Sequence, residues 1–486
     1  MKDTKAVSEF GKYEGYNKLQ YEGLNIKSLY ITMRDGVKIA VDVVLPRNLP
    51  LDVKIPTLIL QTRYWRAREL GIPFKWFQKP GKFLQFFTSY GYAVVLVDVR
   101  GTGASFGTWP YPWSRDEIMD GSEIGNWIVS QPWSNGKVAS IGVSYDGATA
   151  EFLAVTNHPA VKAVVQQFSQ FDLYTDIPFP GGVFNLWFVK HWGRHDSLLD
   201  ENNIKEALTH IYCLFDEAQM SLSKVTQLPQ GFHISKNMRA LKMGRRAVKG
   251  VKPVDSDRSR HLLKEAIEAH GNNGDVYKLA EKLHYRDDIT TSGDFKGSVD
   301  TISIHSFKED IERSKVAIYS WGSWFDSGTA DNVIKRFLTY SNPLRAVIGP
   351  WSHGAAFHSS QYTSPDTPLS PSVTEQWLEC LRFFDYYLKD IENGVMKEKV
   401  LVYYTMGEEK WKTTNTWPPK RSTTARWYLS EDNILSQSPP KTKSGEDKYT
   451  VDFEATTGKT NRWHTLLGGT AVIYPDRAEE DRKLLT

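Results

Sequence analysis

The residues best suited to chemistry cluster between Gly136 and Gly147, in the run GKVASIGVSYDG. Ser144 follows a β-rich apolar run and precedes a helix-forming one. A tight strand-to-helix turn at that point would lift the hydroxyl clear of a sheet and aim helix N-terminal N–H groups at a developing oxyanion. The chemistry would be nucleophilic attack on a carbonyl carbon. Small residues are needed where the chain folds back, and Gly142 and Gly147 supply them. Asp146 stands where the common G-x-S-x-G pattern has its second glycine. Taken alone, Ser144 also reads as a turn residue or a helix N-cap.

A serine hydroxyl attacks well only when a base takes its proton, and that base needs an orienting acid. The apolar run 316–321 (VAIYSW) leads into Gly322-Ser323-Trp324-Phe325-Asp326. The run 344–348 (LRAVI) leads into Gly349-Pro350-Trp351-Ser352-His353. Each puts its polar residue just past the C-terminal end of an expected strand, the edge where open α/β sheets gather reactive groups. Alone, Asp326 is a capping residue and His353 a loop histidine. In the order Ser144, Asp326, His353 they make a nucleophile, an orienting acid and a base.

The elements around them fit that placement. Runs of strand length at 37–45, 57–61, 92–99, 138–143 and 161–166 alternate with expected helices at 83–90, 116–131 and 148–155. Such alternation implies an α/β fold with a doubly wound, mostly parallel sheet. From 171 to 306 the alternation stops and helical, polar patterns take over, which reads as a helical insertion. The sheet resumes at 316–321 and 344–348, and an amphipathic helix follows at 373–389. After Asn393-Gly394 short strands at 400–404, 425–429 and 449–453 are separated by Pro-, Ser- and Gly-rich turns, an all-β texture. The expected units are therefore 1–170 and 307–394 for the sheet domain, 171–306 for the insertion and 395–486 for a β domain.

A chain of 486 residues exceeds one compact core. Its 16 Trp and 23 Tyr suit a large core plus pockets lined by flat rings. A formal net charge of +3 gives no reason to expect nucleic acid or an anionic membrane as partner. Between Lys236 and Lys252, Arg239, Lys242, Arg245, Arg246 and Lys249 recur with no acid between them. A solvated helix face is expected there, with an anion-attracting rim as the sharper alternative. Cys213 and Cys380 have no metal-ligand spacing and read as buried thiols. No apolar leader stands at the N-terminus and no run approaches a membrane span, so a cytoplasmic protein is the expectation.

The motifs also resemble a known family. Met33-Arg34-Asp35-Gly36-Val37, Gly91-Tyr92-Ala93-Val94-Val95 and the run 98–105 (DVRGTGAS) are similar to the cocaine esterase and X-Pro dipeptidyl-peptidase (S15) group of α/β-hydrolases. So are Gln131-Pro132-Trp133-Ser134-Asn135-Gly136, Gly142-Val143-Ser144-Tyr145-Asp146-Gly147, Trp324-Phe325-Asp326, Gly349-Pro350-Trp351-Ser352-His353 and the run 383–389 (FFDYYLK). In that family the second glycine comes three places after the serine, as Gly147 does. The resemblance implies a hydrolase domain, a helical cap and a C-terminal jelly roll. It also implies an oxyanion hole made by the Tyr145 backbone N–H and the Tyr64 hydroxyl, with no metal or organic cofactor. Aromatics of the cap, Phe184, Trp187, Phe188 and Trp192, are candidates to line the acyl pocket, as is Trp324 beside the acid; plain cap core is the alternative for the former.

Departures from the family bear on the substrate. Members that act on α-amino acyl esters carry a carboxylate two places after the tyrosine and further acids after the catalytic Asp. Here those places read Arg66 and Ser327-Gly328-Thr329, which favours an uncharged or acidic acyl group. The family's jelly roll continues past the point where 476–482 (DRAEEDR) falls, so the β domain is expected to be incomplete, with an exposed edge and self-association open to it. The expected activity is cleavage of a small-molecule carboxylic ester or amide through an acyl-enzyme on Ser144. An acylase or dipeptidyl peptidase with the same triad, acyl transfer to another acceptor, and a non-catalytic binding protein remain the alternatives.

Overall fold

Valine, isoleucine and leucine fill the central strands because both faces of the sheet are covered. The computed structural model describes residues 10–451 apart from 15–16, 73, 78, 218–246, 293–294, 361, 365–366, 397–399 and 449. Its main sheet has ten strands. They are β1 (Leu24–Thr32), β2 (Lys38–Pro46), β3 (Ile55–Thr62), β4 (Ala93–Asp98) and β5 (Ser134–Val143), then β6 (Val161–Gln167), β7 (Ala317–Ser323), β8 (Leu344–Gly349), β9 (Val400–Thr405) and β10 (Lys410–Thr414). The spatial order is β1-β2-β4-β3-β5-β6-β7-β8-β9-β10. β1–β2, β2–β4 and β9–β10 pair antiparallel, and every other neighbouring pair is parallel.

Neighbouring residues of one strand go to opposite layers, which is why the strands read as unbroken apolar runs. Val95, Val164, Ile318 and Ile348 face a core shared with Ile124 and Ile128 of α2 (Arg115–Val129), Phe152 of α3 (Tyr145–Val155) and Phe337 of the helix Thr329–Thr339. Val94, Val165, Tyr319 and Val347 face the other core, with Phe87 of α1 (Lys82–Ser89) and Cys380, Phe383, Phe384 and Leu388 of the helix Val373–Lys389. That last helix spans the expected 373–389, and a capping box between Ser372 and Glu375 fixes its start.

Between β6 and β7 lie the helices Leu186–Asp200, Ile204–Glu217 and His261–Ala269. Two short ladders accompany them, Arg68–Leu70 with Val248–Val251 and Thr290–Ser292 with Phe295–Gly297. Arg63, just past β3, is fully buried, bonds Asp200 at 3.1 Å, pairs with Asp196, and lies 4.4 Å from the Trp109 ring centroid. This ion cluster joins the end of β3 to the helix Leu186–Asp200. Among the described residues no helix is long and apolar enough to cross a membrane.

The strand expected at 400–404 is β9, parallel to β8 and followed by antiparallel β10, so the main sheet runs on past residue 395. β8 would otherwise present an unpaired edge beside the His353 loop. Of the expected strand 425–429 only the end is extended, as the hairpin Tyr428–Ser430 with Ile434–Ser436. The basic residues Lys236, Arg239, Lys242, Arg245 and Arg246, the side chain of Cys213, the segment 476–482 and positions 449, 452 and 453 of the expected strand 449–453 lie outside the described residues. Cys380 is buried.

Candidate active site

Ser144 directly follows β5 and is the N-cap of α3, at φ 63° and ψ −124°. A non-glycine residue reaches that conformation only when its surroundings hold it there. Here the Ser144 N–H donates to Gln167 O at 2.9 Å and the Ser144 carbonyl accepts from Ala148 N at 3.1 Å. The turn leaves no room for side chains beside it. A β-carbon on Gly142 would lie 2.0 Å from Asp146 O, and one on Gly147 2.7 Å from Gln167 O. The second glycine thus sits three places after the serine because that position meets the next strand. α3 begins at Tyr145, three residues before the helix expected from the apolar pattern.

Asp326 follows β7 and is fully buried, and its Oδ2 lies 2.8 Å from His353 Nδ1. His353 follows β8; its Nε2 is also buried and has no hydrogen-bond partner among the described residues. An imidazole that gives its Nδ1 proton to a carboxylate keeps an unprotonated Nε2, the form that can accept a proton. The two loops are tied by one hydroxyl. Ser323 Oγ donates to Trp351 O at 2.5 Å and accepts from Trp351 N at 2.9 Å and from Phe325 N at 3.1 Å. Nothing in the sequence distinguishes Ser323 from any other strand-end serine.

Ser144 opens onto a pocket of about 530 Å³, counted to its mouth, whose lining includes Tyr64, Tyr145, Phe168, Phe188 and Trp192. The Phe168 ring is 5.9 Å from that of His353. A methyl on Gly354, next to His353, would come within 3.4 Å of Val143, next to Ser144. The Tyr64 hydroxyl accepts from Trp192 Nε1 at 2.9 Å, which leaves its own proton to donate. Loss of water around it, helped by the Asp196 carboxylate, pushes its pKa up, so the phenol stays protonated. Tyr145 is anchored from behind: its hydroxyl donates to Glu117 at 2.6 Å and accepts from Trp109 Nε1 at 2.9 Å, and its ring stacks on Trp113 at 4.8 Å.

The other candidates lie elsewhere. Arg66 does not face the pocket: its fully buried guanidinium meets Asp42 at 2.9 Å, Asp98 at 2.7 Å and Lys252 O at 3.1 Å. Two carboxylates hold it, so it offers no free charge to an acyl group, and the preference for an acidic one loses its basis. Trp324 turns toward the C-terminal segment, donating from Nε1 to Tyr404 O at 2.7 Å. Phe184 packs on Phe179 at 5.3 Å and Trp187 on His191 at 5.2 Å; neither lines the Ser144 pocket. Asp172, Asp300 and His305 bring possible metal-ligating atoms together, but Arg286 sits among them at 2.7, 2.8 and 2.9 Å. A guanidinium already supplies the positive charge there.

Residues 35–355 match the family model described as X-Pro dipeptidyl-peptidase (S15 family), and residues 393–483 match that of the X-Pro dipeptidyl-peptidase C-terminal non-catalytic domain. A Mycobacterium bovis protein named "Putative serine esterase" is 40% identical over 495 residues, covering 96% of this chain and 73% of its own length. The cocaine esterase of a Rhodococcus species is 25% identical over 417 residues, covering 85% of this chain and 63% of its own length. Among solved structures, a CocE/NonD family hydrolase from Staphylococcus aureus superposes with a TM-score of 0.57 at 18% identity, over 90% of this chain and 66% of its own.

Proposed function

The chain belongs to the X-Pro dipeptidyl-peptidase (S15) family of serine hydrolases, and from that premise we propose that it cleaves uncharged carboxylic esters through an acyl-enzyme on Ser144. The observation that carries this reading is the 2.8 Å Asp326–His353 pair with an unpartnered Nε2, beside a serine held at positive φ. Ser144 Oγ attacks the carbonyl carbon as its proton passes to His353 Nε2. Asp326 holds the imidazole and stabilises its positive charge. The Tyr145 N–H and the Tyr64 hydroxyl donate to the oxyanion, and each such donor is worth roughly 10²–10³ in rate. Collapse breaks the ester C–O bond, and the departing alkoxide takes the Nε2 proton. Water, deprotonated by the same nitrogen, then attacks the acyl-enzyme, releasing the acid and restoring Ser144.

The uncharged character follows from the pocket wall. Its lining includes Gln170, Leu173, Ile177, Ser327, Thr329 and Asn332 besides the aromatics, and among the described residues no carboxylate. An α-ammonium group, as on a peptide N-terminus or an α-amino ester, would lose its water there without a counter-charge. Esters are therefore expected to outrun X-Pro amides by orders of magnitude in a paired substrate panel.

The test is Ser144→Ala. Turnover of p-nitrophenyl acetate should fall by up to ~10⁶, since the triad acts as a unit. A fluorophosphonate probe should label the wild type and not the variant. Retained turnover by the variant means that another residue is the nucleophile.

A further inference from the structure

A second cavity adjoins the Ser144 pocket. It holds about 700 Å³ counted to its mouth. Four side chains, Trp113, Leu173, Ile177 and Trp192, line both spaces. Beyond them the walls are apolar, formed by Val189, Val276, Leu279, Ala280, Leu283 and Val299. No charged side chain is among the lining residues, and one of its few hydroxyls, Ser292 Oγ, is taken up by Pro110 O at 2.6 Å. The surface exposed to the cavity is almost wholly apolar. A space of this kind takes a hydrocarbon.

Resting on the esterase reading above, we infer that this chamber receives the acyl chain of the substrate, and that the preferred substrates are esters of medium-length, unbranched fatty acids. The direction follows from the reaction. The leaving oxygen must lie at His353 Nε2 to take its proton, so the alcohol occupies the His353 side of the pocket, near Phe168. The chamber does not share Phe168 and joins instead beside the two oxyanion donors. Trp113 stacks on Tyr145, and Trp192 bonds the Tyr64 hydroxyl. The acyl group is the part of the ester left on that side. Its methylenes would leave water for a wall that is almost wholly apolar, at about fourfold in binding for each one buried.

The experiment uses two ester series on the full chain. In the first, p-nitrophenyl acetate, butyrate, hexanoate and octanoate vary the acyl group; in the second, ethyl, butyl and octyl acetate vary the alcohol. Wild-type kcat/KM should rise at least thirtyfold from acetate to octanoate and change little along the alcohol series. Leu279→Trp and Ala280→Phe, which fill the chamber from two positions, should each cut the octanoate-to-acetate ratio tenfold or more. Rates are expressed per fluorophosphonate-labelled site, so a misfolded fraction does not enter the ratio. A flat acyl profile, an unchanged ratio in the labelled variants, or a response confined to the alcohol series overturns the proposal. If neither variant can be labelled, the wild-type profile alone decides. A wild type that cleaves acetate through Ser144 but ignores acyl length removes the chamber and leaves the esterase; one that cleaves no ester removes both.

Discussion

Glu117 shows how much a single side chain behind the site can set. Ser114 caps its helix turn, and its carboxylate accepts from the Tyr145 hydroxyl and from Trp113 N at 3.1 Å. Burial pushes its pKa up to about 7, against the hydrogen bonds from Tyr145 and Trp109 and the nearby Arg63, which pull it down. In the unfolded chain the same group ionises near 4.5. Between those values the native state keeps a proton that the unfolded state has released, so stability falls as pH rises. The stability is fully present below about pH 4.5, and the loss is complete above pH 7. Glu117→Gln keeps an acceptor for Tyr145 and removes the titration. Urea unfolding at pH 4.5 and pH 8 should therefore give a wild-type stability that drops, relative to the variant, by up to ~3 kcal/mol. Parallel loss in both proteins would mean that the carboxylate is already ionised when buried.

At the scale of elements, Arg66 ties the turn after β3 to β2 and to the end of β4, since Asp42 and Asp98 belong to those strands. Asp98 also accepts from the backbone N of Ala104 at 2.9 Å and of Arg66, and so shapes the loop that carries Tyr64. Arg66→Ala would strand a carboxylate with no exposure. The expected cost is ~3–5 kcal/mol, read as a lowered urea midpoint, with no change in the discrimination between neutral and acidic acyl esters among folded molecules. A selective loss on acidic esters would return Arg66 to substrate binding. The sequence is silent on this pairing because Arg66 and Asp98 are 32 residues apart and neither belongs to a periodic pattern. The strands, by contrast, were legible: burial on two faces writes an unbroken apolar run, and 57–61 and 161–166 fall inside β3 and β6. Asp326 and His353 stood out because each follows such a run. Trp324 was misread for the same reason, since position beside a strand end says nothing of which way a ring turns.

Across the whole molecule, the change of texture near residue 395 coincides with the start of the matched C-terminal domain at 393, yet the main sheet runs on into that segment. Turn-rich sequence begins there, yet β9 extends the parallel sheet, because sheet membership depends on a partner strand and not on local composition. The segment after 395 reaches both loops of the candidate triad. Trp411 packs on Trp351 at 5.4 Å, two residues before His353, and Tyr404 O receives the Trp324 indole, two residues before Asp326. β9 also covers the edge of β8, the strand that delivers His353. A chain ended at residue 395 should therefore lose more than a peripheral domain. Its exposed β8 edge should promote association, visible as a concentration-dependent rise in light scattering. Its turnover of p-nitrophenyl acetate per fluorophosphonate-labelled site should fall at least tenfold, as the Asp326 and His353 loops lose the packing that holds their separation. Misplacement of about 1 Å is enough for a loss of that size. If the shortened chain stays monomeric and keeps its turnover per site, β9 and β10 only cover the sheet, and Ser323 alone suffices to hold the two loops together.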